Sequence, residues 1–222
     1  MDIDALIAQH RVDSDDLVPD YLSTSDQITT WLNEAEQEAC IRSRLILDVN
    51  TPSVCNIAVT APANVFTLHP AIFEISRAAF TPTGETCDID LFLTDRVYLD
   101  SRYRHWRTRV EQPREAIHTD KQLQLACIPC TDGTIALEAY RLPLKNIEDQ
   151  SNESPEIAEI HHRHLVHWSL YRCYSRPDAE IHDPARAEKE LAEFTKVFGI
   201  RPDADYRKAS QADRPQFNQA YW

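Results

Sequence analysis

The chain has 222 residues, 42% of them hydrophobic and 9% aromatic, enough to build one compact domain or a domain carrying a substantial insertion. Its formal net charge of −13 argues against a protein that grips nucleic acid phosphates over its surface, and no apolar run reaches the length of a bilayer span. The opening residues, MDIDALIAQHRVDSDD, are acidic and amphipathic, unlike a signal or transit peptide; a soluble protein of a reducing, cytosol-like compartment is expected, with its six cysteines as free thiols.

Residues 2–11 read as a short helix with Ile3, Leu6 and Ile7 on one stripe. A polar connection, 13–25, leads to a start signal in which Ser23 caps the next helix, Asp26 follows three positions on, and Leu22 is the staple. Apolar residues then recur at helical spacing (Ile28, Trp31, Leu32, Ala35, Ala39, then Leu45 and Ile46), which predicts a helix to about Leu47. Asn33, Glu34, Glu36, Gln37 and Glu38 form its opposite face. This N-terminal region is the most acidic, with 11 acidic and 3 basic side chains in residues 1–48.

From about Asp48 the period becomes that of strands: 54–60, 65–68, 72–80, 86–93, 116–119, 122–127 and 134–141. Asp132-Gly133 between the last two predicts a hairpin. Residues 94–104 read as one short helix capped by Thr94 or Asp95. After the loop 146–155, helical spacing returns over 156–175, with Ile157, Ile160, His164, Trp168 and Tyr171 along one face. Asp183-Pro184 opens a last helix carrying Ala187, Leu191, Phe194 and Phe198, and Gly199 ends it.

The fold expected is α+β: an antiparallel helical bundle drawn from both chain ends, an inserted small antiparallel β unit and an extended C-terminal tail. The divisions are 1–48 and 151–199 for the helical domain, 49–150 for the β-rich insertion and 200–222 for the tail. The tail has no apolar period yet ends in PQFNQAYW, so Tyr206, Arg207, Phe217, Tyr221 and Trp222 are candidate partner-docking residues; the alternative is that the tail folds back on its own domain.

Three motifs invite a chemical reading. Glu159 and His162 form an E-x-x-H pair within EIHHRHLVH, but di-iron bundles need that pair twice, and it occurs once here; surface or interface histidines are the alternative. Cys127-Ile-Pro-Cys130 matches C-x-x-C but follows a strand, where the two thiols would face opposite ways. RYRHWRTR (102–109) interleaves cations and aromatics like a single-strand binder, or else Trp106 is a packing anchor and the arginines pair with acidic residues of a neighbouring subunit. With only three glycines there is no phosphate-cradling loop, and no nucleophile elbow or paired carboxylates stand out. No catalytic residue, cofactor or metal site is therefore assigned, and no enzyme is expected. A DNA-binding accessory protein using 102–109 and a small metal-binding helical protein remain the alternatives.

The order of the segments resembles the head–tail adaptor (connector) proteins of tailed bacteriophages. DLVPDYLSTSDQITTWLNEAEQEACIRSRLI (16–46) is similar to the family's opening, a YL-(polar)-S-D entry to a helix reading W/Y-L-N-E-A. WRTRVEQPREAIHTDKQLQLACIPCTDGTIALEAYRLPL (106–144) resembles its strand–hairpin unit ending in R-x-P. HHRHLVHWSLYRCYSRPDAEIHDPARAEKELAEFTKVFG (161–199) resembles the closing helix, S-x-P-D-x-E linker and D-P-x-x-A helix. The resemblance implies a structural virion subunit, assembled in the bacterial host cytoplasm, that forms a ring, usually dodecameric, beneath the portal. Such a ring extends the DNA channel and offers a platform to the tail or a stopper protein, and its C-terminal arm reaches onto the portal. The implied partners are the portal protein, neighbouring copies of the chain and a tail or stopper protein; DNA would pass without specific binding, and no membrane is involved.

Overall fold

A computed structural model describes residues 1–148, 153–177 and 182–203. The chain divides into two compact units, one built from residues 1–46 and 142–202 and the other containing 47–141.

The first unit holds α1 (Ile3–Ser14), α2 (Ser25–Ser43), α5 (His162–Tyr174) and α6 (Pro184–Phe198); α3 and α4 belong to the second unit. Their shared core contains Ile3, Leu6, Ile28, Leu32, Ala35, Leu165, Leu170 and Phe194. Asp2 caps α1 by accepting from the Ala5 amide. On α2 the cap is Thr24, not Ser23: its hydroxyl accepts from the Gln27 amide while the Gln27 side chain accepts from the Thr24 amide, a complete capping box. Ser23 is instead buried, with its amide on Asp16 and its hydroxyl 3.5 Å from Cys173 Sγ.

α2 also stops before Leu47. Arg44 closes it in the left-handed region at φ 52°, and Leu45 and Ile46 pack on the core from outside the helix. The polar face opposite the apolar stripe is in part buried: Glu36 is 1% exposed and Glu38 7%. Glu36 accepts from the amides of Glu156 and Ile157 at 2.6 and 3.1 Å, and Asn33 exchanges two bonds with Ile147. Both therefore pin the returning chain to α2, and burial pushes the Glu36 carboxyl above its usual range.

The predicted stripe on α5 is displaced. A 3-10 turn (Glu159–His161) precedes the helix, which leaves Ile160 77% exposed. The buried set is His162, Leu165, Val166, Ser169, Leu170, Cys173 and Tyr174, because α1 and α2 cover that side. Trp168 packs on Phe194 of α6 at 5.1 Å. Asp183 and Pro184 open α6 as expected, and Gly199 ends it at φ 80°.

The second unit contains β1 (Leu47–Asp48), α3 (Pro52–Cys55), β2 (Asn56–Val59), β3 (Val65–Thr67), β4 (Ile72–Pro82), β5 (Ile89–Asp90), β6 (Phe92–Thr94), α4 (Arg96–Arg102), β7 (Val110–Glu111), β8 (Glu115–Thr119), β9 (Gln122–Leu125), β10 (Ile128–Pro129) and β11 (Gly133–Arg141). Central β11 pairs antiparallel with β4 on one side and with β1 and β2 on the other, and β5 pairs with β4. The other large sheet has the order β3-β9-β8-β6. Phe80, Ile135 and Leu137 of the first sheet share a core with Phe66, Leu123 and Leu125 of the second.

Three expectations fail here. The hairpin joins β8 to β9 through Asp120-Lys121, with Thr119 opposite Gln122, and β9 and β11 lie in different sheets. Asp132-Gly133 is a close approach instead: the Asp132 carboxylate accepts from the Ala61 amide, and a Cβ on Gly133 would lie 2.4 Å from Thr81 O. The unit is also not wholly antiparallel, since β6 with β8 and β7 with β10 run parallel. The segment 86–93 is not one strand; around Leu91 the chain passes from β5 in one sheet to β6 in the other.

The two ends of this unit are joined by a buried ion pair. Arg141 Nε donates to Asp48 at 2.5 Å, and Asp48 also accepts from the amides of Asn50 and Thr51. Burial alone would raise the Asp48 carboxyl, but these bonds together hold it well below the usual carboxylate range.

Candidate assembly surfaces

The tail's root is held by side chains of α2. Arg42, near the end of α2, donates to the Thr195 hydroxyl at 3.0 Å and to Gly199 O at 3.1 Å, while its Nε bonds Glu38 at 2.8 Å. Ser43 donates to Phe198 O at 2.7 Å, and Arg201 lies 3.3 Å from the other oxygen of Glu38. The Arg42 guanidinium also lies over the rings of Trp168 and Phe194 at 5.5 and 5.2 Å. Helix-terminal carbonyls are orphaned without such donors, so these bonds fix where the chain leaves α6. Of this cluster the sequence offered only the Glu38–Arg42 spacing of four on α2. The candidate docking residues Tyr206, Arg207, Phe217, Tyr221 and Trp222 lie outside the described residues.

The connection between α1 and α2 is also built rather than loose. Asp15 ends α1 in the left-handed region, and buried Asp16 accepts from the amides of Leu22 and Ser23. Arg11 lies 3.6 Å from the Asp16 carboxylate and covers the Tyr21 ring at 3.5 Å from its centroid. Around this scaffold Val12, Leu17, Val18, Tyr21 and Leu22 are exposed.

In the β-rich unit, Asp95 rather than Thr94 caps α4, accepting from the Tyr98 amide. Trp106 is an anchor, 2% exposed, packed with Leu99, Ile117 and Ala126. Its indole N–H donates to Asp100 at 2.8 Å, and Arg107 binds the same carboxylate through both nitrogens. Arg107 first and Trp106 second hold the Asp100 carboxyl below its usual range. Arg109 pairs with Glu111. Arg107 and Arg109 thus have partners within the chain; Arg104 and Arg114 are exposed and have no carboxylate partner among the described residues.

The remaining motifs are drawn into the fold. Glu159 is 3.1 Å from the Met1 amine, and His162 is buried with one ring nitrogen 2.9 Å from Ile157 O and the other 3.0 Å from Met1 O. His167 bonds Glu190 of α6 at 2.7 Å, and His164 stacks on His167. Among the described residues no three His, Cys, Asp or Glu side chains converge as metal ligands. Cys127 is buried, its thiol pushed up to about 11 by desolvation, while Cys130 is exposed. No described helix is long and apolar enough to cross a membrane.

A helical unit with a tightly held tail root, and a β unit whose aromatic and cationic side chains serve packing and surface charge, define a protein of contacts. The chain belongs to the SU10 adaptor protein family, whose model matches residues 1–216. This is a family of phage adaptor proteins, structural and not enzymatic, whose members bind other virion proteins. No curated protein matches the sequence.

Proposed function

We propose that the chain forms a ring between the portal and the tail, extends the DNA channel, and grips the portal through the segment beyond Asp203. The observation that carries this reading is the clamp at the tail's root. Arg42 and Ser43 hold the end of α6 at Phe198 and Gly199, and Glu38 holds Arg201, so the following residues start from a fixed point. A fixed origin reduces the ordering entropy lost when a tail docks. Tyr206, Phe217, Tyr221 and Trp222 then supply large apolar surfaces, each contributing roughly 1.5–3 kcal/mol when buried, and Arg207 a cation. The acidic excess of residues 1–48 fits a channel wall that does not retain DNA, since like charges repel.

The test is co-sedimentation of the full chain and of a chain ending at Asp203 with the purified portal ring of the same virus. The truncation leaves Arg201 and its partners in place. Binding by the full chain and its loss on truncation supports the tail as the anchor. Equal binding by both moves the docking surface to the folded units, and absence of binding by either overturns the portal assignment.

A further inference from the structure

We propose that the α1–α2 connection of one copy receives the arginine-bearing face of the β-rich unit, residues 96–114, of a second copy of this chain. The inference rests on the ring reading above and names the two surfaces by which neighbouring copies meet.

The first surface is apolar with an acidic rim. Val12, at the end of α1, and Leu17, Val18, Tyr21 and Leu22, on the ten-residue connection, are 59%, 59%, 75%, 43% and 45% exposed. Scattered single apolar side chains need no explanation, but five exposed ones within residues 12–22 do. The Asp16 carboxylate and the Arg11–Tyr21 stack hold this loop in one shape, so it presents its apolar side chains already ordered. Asp13, Asp15, Asp20 and Asp26 are exposed around it, while buried Asp16 is paired with Arg11.

The second surface has the opposite sign. Residues 96–114 carry six arginines against two carboxylates, in a chain whose net charge is −13. Both carboxylates, Asp100 and Glu111, are already engaged by Arg107 and Arg109. Arg104 and Arg114 remain exposed, and Val97 and Val110 are 75% and 66% exposed among them. A segment that pairs exposed apolar side chains with arginines and one that pairs them with aspartates are complementary in both respects. Two different patches on one chain make a head-to-tail contact, the kind from which a ring is built. DNA is the weaker match for the arginines, because Asp100 and Glu111 remain half-exposed among them and would repel phosphates.

Two variants separate the surfaces. Arg104→Glu/Arg114→Glu spoils only the arginine face, and Leu17→Lys/Val18→Lys spoils only the connection; neither touches Arg11, Asp16, Arg107 or Arg109. Should the glutamate pair lower the melting temperature, Arg104→Gln/Arg114→Gln replaces it. Each variant alone is expected to stay monomeric in sedimentation velocity. Their equimolar mixture, with one intact copy of each surface, is expected to form a salt-sensitive 1:1 dimer at least about tenfold tighter than either self-association. If the wild type assembles and both variants assemble equally well, the proposal is overturned while the ring reading stands. If the mixture dimerises but the wild type closes no ring with or without the portal, the proposal stands and the ring reading falls. Monomers throughout overturn the proposal, and the ring reading falls with it only if the wild type also closes no ring on the portal. A salt-dependent mobility shift of duplex DNA by the wild type, lost in the arginine variant, would assign that face to DNA and overturn the proposal.

Discussion

Replacing His10 with leucine should remove a specific acid sensitivity from the helical unit. His10 has no exposed surface; its Nδ1 lies 2.8 Å from the Ser169 hydroxyl and its ring 6.0 Å from Trp31. Ser169 donates to Val166 O, so its oxygen accepts from His10 Nδ1–H, and Nε2 is left without a partner. The imidazole is therefore neutral, and protonation would place an unpaired N–H in the core. Desolvation first, and Arg11 second, lower its pKa from 6.5 to about 4 against a smaller opposing pull from Asp16. Because the folded-state value is depressed, the unfolded chain takes up the proton first, and stability is lost as pH falls from about 6.5 to about 4. The difference corresponds to about 3 kcal/mol. Urea unfolding followed by far-UV circular dichroism across that window, for wild type and His10→Leu, should show the wild type losing about 3 kcal/mol relative to the variant. Glu36, whose carboxyl is raised, is common to both proteins and cancels. Parallel loss in the two proteins would refute the assignment.

Asp48→Ala leaves Arg141 buried without its carboxylate and should destabilise the β-rich unit by about 3–5 kcal/mol; limited proteolysis within 47–141 and a thermal melt would register it. Gly133→Ala drives a Cβ against the Thr81 carbonyl and the Phe80 ring, so a loss of about 1–3 kcal/mol is expected in urea titrations. Titration with a thiol reagent should modify Cys87 and Cys130 rapidly in the native protein, and Cys40, Cys55, Cys127 and Cys173 only on unfolding.

What the sequence made legible was mostly local. α6 was marked by Asp183-Pro184, its Ala187/Phe194/Phe198 spacing and Gly199, and α4 by a cap at Thr94 or Asp95, of which Asp95 is the one used. Strand partners were not legible, because pairing is decided over distances that no local turn signal reports. Asp132-Gly133 looked the stronger turn, yet Asp120-Lys121 closes the hairpin. The α5 stripe was misplaced because polar residues there have buried partners, His162 with Ile157 O and Ser169 with His10, so hydrophobicity did not mark the packed face. The tail clamp was hidden for a related reason: Arg42 reaches Gly199 across 157 residues, and nothing near Arg42 in the chain announces that contact. The basic-aromatic segment was visible, but not that Asp100 and Glu111 already bind two of its arginines.

The most direct test of the adaptor assignment is electron microscopy of the full chain mixed with the portal ring of the same virus. The account predicts an added ring of density coaxial with the portal and continuous with its channel. Portal particles unchanged at saturating chain concentration, or density bound off the axis, would contradict it.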